Sequence, residues 1–184
     1  MTEINDPLVW IDCEMSGLNI ETDKLLEISV IITDDNLTQT IEGPNLIIKQ
    51  EKSLLDNMDE WCTTHHKESG LTEKVLQSTI TEAKAEEVIT EFLKKHIKKE
   101  KVALLAGNSV HMDKFFLIKY MPKIIDFLHY RIIDVSVVKE LTSRWLPEKS
   151  AMAPKKKLNH RALDDILESI EELKFYRKMI FNKD

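Results

Sequence analysis

At 184 residues and 42% hydrophobic content, the chain is long enough for one domain with a substantial core and too short for two of ordinary size. Its 26 Lys and Arg stand against 32 Asp and Glu, and a net charge of −6 excludes a protein that grips nucleic acid along a long basic track. No apolar stretch approaches the length that crosses a bilayer, and Met1-Thr2-Glu3-Ile4-Asn5-Asp6 has neither a secretory nor an Arg-rich transit pattern. A soluble, intracellular chain with no membrane partner is expected, and Cys13 and Cys62, without CxxC spacing, read as reduced thiols.

Residues 7–15 and 24–33 are rich in β-branched side chains and read as two strands separated by Gly17 and a polar turn. Residues 45–50, after Gly43-Pro44, read as a third, and the short connections predict an antiparallel meander. From 81 to 98 the residues Ala85, Val88, Ile89, Phe92, Leu93 and Ile97 recur at the spacing of a surface helix. A short buried strand over 102–106 closes on Gly107-Asn108, and a helix then runs through Tyr120 and stops at Pro122. Ile132 to Val135 reads as a fifth strand, followed by a helix to about Trp145. The segment 147–159, with two prolines and Lys155-Lys156-Lys157, reads as a long irregular loop placed to draw an anion inward. Ala162, Leu163, Ile166, Leu167, Ile170 and Leu173 form the stripe of a last helix, whose edges Asp164 and Asp165 flank equally, so periodicity does not choose between them. Three meandering strands followed by alternating helix and strand make a mixed-sheet α/β domain, with a ligand site at the strand ends.

The chemistry lies in the carboxylates. Side chains in a strand alternate faces, so in Leu8-Val9-Trp10-Ile11-Asp12-Cys13-Glu14 the residues Trp10, Asp12 and Glu14 share one face. Two negative charges at a buried strand end repel each other and resist desolvation unless a cation neutralises them. Asp113 follows the mid-chain strand, while His160 and Asp165 open the last helix, and an all-oxygen ligand set suits Mg²⁺ or Mn²⁺.

Trp10-Ile11-Asp12-Cys13-Glu14-Met15-Ser16-Gly17-Leu18, Gly107-Asn108-Ser109-Val110-His111-Met112-Asp113 and His160-Arg161-Ala162-Leu163-Asp164-Asp165-Ile166 resemble the three motifs of the DEDDh exonucleases. The resemblance is closest to the eukaryotic oligoribonuclease branch, and it continues through Met58 to Cys62, His65-His66, Ser69 to Leu71 and His129 to Ser136, covering essentially the whole chain as a single domain, 1–184. It implies a ribonuclease H-like fold, a mixed five-stranded sheet flanked by helices. It also implies that Asp12, Glu14 and Asp165 hold two Mg²⁺ or Mn²⁺ ions, with Asp113 completing the set and His160 as general base; the family's spacing selects Asp165 over Asp164. Leu18 would wedge against the bases and Trp61 with Tyr130 would offer aromatic surface, while Arg131, Ser109, Ser136 and His66 would grip a 5′ phosphate. In this family the Tyr130-Arg131 pair reaches into the partner's site, implying a homodimer and substrates of very short single-stranded RNA, ideally dinucleotides, degraded from the 3′ end to 5′-monophosphates.

Val137 departs from the Thr common after the Asp-Val-Ser segment, which would loosen the hold on the 5′ phosphate. His65, His96 and His129 are expected to carry no chemistry. A cytoplasmic location with a mitochondrial pool is expected. The competing readings are an exonuclease of the same fold that trims or proofreads longer strands, and a metal-free binding module.

Overall fold

The computed structural model describes residues 4–154 and 161–181. Strands β1 (Leu8–Met15), β2 (Leu25–Thr33) and β3 (Thr40–Ile47) form the expected antiparallel meander. Three short helices follow, α1 (Lys52–Asp56), α2 (Glu60–Glu68) and α3 (Leu71–Gln77), then the long α4 (Glu82–His96). Next come β4 (Leu104–Gly107), α5 (His111–Tyr120), α6 (Pro122–Phe127), β5 (Ile132–Asp134) and α7 (Val135–Trp145). A short α8 (Pro147–Ser150) and α9 (Ala162–Tyr176), prolonged by a π-turn over Arg177–Phe181, complete the order.

The sheet order is β3-β2-β1-β4-β5, with β4 and β5 parallel to β1. This is the mixed five-stranded α/β sheet that was expected. Alternation along β1 sends Val9, Ile11 and Cys13 into the core beneath α4, α5 and α6, and Trp10 into a second core with Ile166, Ile170 and Tyr176 of α9. Helices therefore cover both faces, which is why all nine residues of β2 are buried, the polar Glu27, Ser29 and Thr33 among them. The indole Nε1–H of Trp10 donates to Thr33 Oγ1 at 2.9 Å, satisfying its polar atom inside the core.

The third strand lies earlier than expected, at Thr40–Ile47 rather than 45–50. Gly43-Pro44 does not precede it but sits inside it, where the pairing with β2 shifts register between Ser29 and Ile31. A side chain at Gly43 would lie 2.7 Å from the Val30 carbonyl oxygen and 2.6 Å from the Phe92 ring, so glycine alone fits there. β3 ends the sheet order, and an edge strand tolerates the missing N–H of Pro44. The segment expected to be irregular from 147 begins with the helical turn α8, Pro147 occupying its first position. Helices α1 to α3 had no expectation; they cover Leu26 with Leu55, Leu71 and Val75.

Candidate active site

Three elements end at one place. β1 delivers Asp12 and Glu14 at its C-terminal end, α9 carries Asp165 in its first turn, and α5 carries Asp113 in its own first turn. Ligand oxygens of Asp12, Glu14 and Asp165 lie within 4.8 Å of one another. Asp164, the neighbour that periodicity could not set aside, is exposed. Asp113 is buried, and its Oδ1 accepts the backbone N–H of Cys13 at 2.9 Å, which seats this carboxylate against the strand between the other two.

Burial, then the charges of Asp165, Glu27 and Asp113, push the Glu14 carboxyl up to about 8, against the lowering effect of Arg161. Burial likewise pushes Asp113 up to about 7, against the relief given by the Cys13 N–H. Carboxylates this close and partly buried fit a hard divalent cation, because the donors that Asp12, Glu14 and Asp165 offer are all oxygens. Asp12, Glu14 and Asp165 are the residues that would hold it.

Other predicted residues fall into three places. Leu18, Trp61 and His66 line a cleft of about 450 Å³ that reaches Glu14. Leu18 is 69% exposed at the lip of this cleft. It is held there by a turn in which Asp23 accepts from Ser16 Oγ and the Asn19 N–H, both at 2.9 Å. A Cβ at Gly17 would come within 2.4 Å of the same carboxylate, so the turn needs glycine. Trp61 stacks on His65 at 4.0 Å, while His66 is buried, its Nε2–H donating to the Met15 carbonyl at 2.8 Å. Ser109 and Ser136 line a separate groove with Val137, their hydroxyls 3.2 Å apart. Tyr130, with Arg131 following it, borders a third depression beside Lys101 and Lys114. Among the described residues, none of these three depressions is lined by all the predicted substrate residues. His160 lies outside the described residues, as do Lys155, Lys156 and Lys157.

Three supporting contacts had no signal in the sequence. The Arg161 guanidinium pairs with both oxygens of fully buried Glu27, at 2.9 and 3.2 Å, and Glu27 faces Glu14 across the β1–β2 register. Asp134 Oδ1 accepts from the backbone N–H groups of both Ser109 and Ser136 at 2.9 Å, and Ser109 takes a φ of 50° there. Asn108 joins this loop to α9, donating to Ser169 Oγ at 2.7 Å and accepting from Ser136 Oγ at 3.1 Å. Except for Asp134 and Ser136, two residues apart at the start of α7, each pair is far apart in the chain, so only its charge or amide type could have hinted at it.

Residues 9–173 match the exonuclease family. The chain is 55% identical to an oligoribonuclease of Arabidopsis thaliana over 97% of its own length and 80% of that protein's. It is 56% identical to the mitochondrial oligoribonuclease of Homo sapiens over 96% of this chain and 74% of the relative. The chain belongs to the oligoribonuclease branch of the exonuclease family, as a metal-dependent 3′→5′ exoribonuclease. Its ribonuclease H-like fold recurs in exonuclease I of E. coli, solved in complex with an oligonucleotide, with a TM-score of 0.70 at 15% identity. That match covers 96% of this chain but 41% of the exonuclease I chain.

Proposed function

We propose that this single-domain protein, residues 1–184, works as a homodimer that degrades very short single-stranded RNAs, dinucleotides above all, to nucleoside 5′-monophosphates. The convergence of Asp12, Glu14 and Asp165 within 4.8 Å, beside buried Asp113, carries the reading. Two Mg²⁺ or Mn²⁺ ions held by these four carboxylates would supply an acidified water and charge stabilisation for the leaving 3′-oxygen. His160 takes the proton of the attacking water, the task its near-neutral imidazole chemistry suits. Leu18 and Trp61 pack against the bases at the cleft that reaches Glu14, with His66 on the cleft wall.

Arg131 and Tyr130 cross to the partner's site, where Arg131 joins Ser109 and Ser136 on the 5′ phosphate. Supporting this, Tyr130 is 72% exposed in the single chain, and the serine groove lies apart from it. Capping the 5′ end excludes long strands. The protein is proposed to act in the cytoplasm with a mitochondrial pool, in line with a mitochondrial relative. Among the described residues no helix is long and apolar enough to cross a membrane.

Turnover on a 5′-phosphorylated dinucleotide against a strand of a dozen or more nucleotides tests the proposal, with Asp12→Ala as the control. The dinucleotide is expected to be cleaved faster, and Asp12→Ala to abolish cleavage while leaving the thermal unfolding transition in place. Faster cleavage of the long strand would overturn the short-substrate reading in favour of a trimming enzyme.

A further inference from the structure

The connection from α6 to β5 carries Tyr130 and Arg131, and it holds a defined shape although Tyr130 is 72% exposed. His129 makes three of the contacts that hold it. Its backbone N–H donates to the Ala103 carbonyl at 2.8 Å, which ties the segment to the start of β4. Its ring stacks on Tyr130 with centroids 4.4 Å apart and planes 28° apart. Its Nδ1 accepts the backbone N–H of Arg131 at 3.1 Å. From α5, Lys114 Nζ donates to the Tyr130 carbonyl at 2.7 Å, and the Arg131 guanidinium lies 5.5 Å from the Tyr130 ring centre.

A side-chain acceptor at one residue that takes the N–H two residues on is the arrangement by which Asn and Asp build turns. Here an imidazole fills that role and adds an aromatic face. The hydrogen bond requires the lone pair on Nδ1, so the ring proton sits on Nε2. One side chain therefore sets the direction of the Arg131 backbone and the plane of the Tyr130 ring together.

We infer that His129 is a positioning residue, which presets Tyr130 and Arg131 in the orientation they need to reach the substrate in the partner's site. This rests on the reading that these two residues serve the neighbouring subunit. The physical gain is entropic: an exposed aromatic and a long cation held ready lose less freedom when the substrate binds. His129 touches no substrate itself, so its effect falls on binding and leaves the hydrolytic step alone.

The test compares His129→Phe, which keeps the stacking and removes the acceptor, with His129→Asn, which keeps an acceptor and removes the ring, and with Arg131→Ala. For each, kcat and KM are measured on a 5′-phosphorylated dinucleotide with Mg²⁺, and the oligomeric state is checked by sedimentation at assay concentration. His129→Phe is expected to raise KM about fivefold, the factor one net hydrogen bond is worth, with kcat within about twofold of the parent. His129→Asn is expected to recover most of that loss. In a Tyr130→Ala/Arg131→Ala background, His129→Phe is expected to add less than about twofold, because the groups it positions are gone. If Arg131→Ala raises KM while His129→Phe does not, or if the His129 effect persists in the double-alanine background, the positioning role is wrong and the crossing pair stands. If Arg131→Ala itself leaves KM unchanged, the crossing pair fails and the role of His129 falls with it.

Discussion

Glu14 concentrates the charge imbalance of the acidic cluster on one side chain. Burial and three neighbouring carboxylates hold its proton until about pH 8, whereas an unfolded glutamate releases its own near 4.5. The folded chain therefore binds more protons than the unfolded one between these values, and its stability without metal falls as pH rises from about 4.5 through about 8. Asp113, raised to about 7 chiefly by burial, acts in the same direction. Glu14→Gln removes the penalty while ending cleavage. In chelator at pH 8, thermal denaturation is expected to show the variant more stable than the parent by about 1–3 kcal/mol, roughly 2–10 °C, with the advantage shrinking as pH falls and vanishing by about pH 4. A parent Tm independent of pH over that range would contradict the charge account. Saturating divalent metal should raise the parent's Tm at pH 8, since an ion that binds only the folded state stabilises it by mass action.

At the scale of elements, α9 decides whether the acidic cluster exists, because Asp165 reaches β1 only if the first turn of the helix is seated. Arg161 precedes that turn, and its two hydrogen bonds to Glu27 fasten the helix start to β2. Glu27 has no exposure and the Arg161 side chain retains 23%, so the pair is mostly dry. Removing one partner from such a pair leaves a buried charge without compensation, which costs more than the pair itself contributes. Arg161→Met is accordingly expected to lower the urea-derived unfolding free energy by about 3 kcal/mol, and Glu27→Gln/Arg161→Met to recover most of the loss. Equal destabilisation by the single and double variants would show that packing, not charge, holds α9 in place. The single variant should also weaken Mg²⁺ binding, since Asp165 loses its fixed position.

For the whole molecule, a net charge of −6 limits how a polyanion can be held. The proposed assembly meets this by contacting very few phosphates and by pairing most substrate charge with bound cations. Its dinucleotide KM should therefore respond weakly to salt. Each phosphate contact on a single strand gives a slope of about 0.7 in log–log terms, so two contacts correspond to roughly a sevenfold rise between 50 and 200 mM KCl. A KM titration at constant Mg²⁺ measures it, and a rise approaching a hundredfold would point to an extended strand track that the proposed assembly lacks. Sedimentation at the same salt concentrations reads the oligomeric state, which should stay dimeric.

Local periodicity determined what it physically can: which side chains share a face. The alternation along β1 put Asp12 and Glu14 together and Cys13 opposite, and the apolar stripe from Ala162 to Leu173 made α9 a packed helix; both hold in the structure. The same information could not separate Asp164 from Asp165 or locate β3, whose Gly43-Pro44 reads as a break until an edge position and a register shift make room for it. Helices α1 to α3 are too short to show a period, and Glu27 and Arg161 are 134 residues apart. Which carboxylates meet, and what holds them at that distance, depends on contacts between remote segments. Those contacts are fixed by the packing of both cores against one sheet, and the tertiary structure alone decides them.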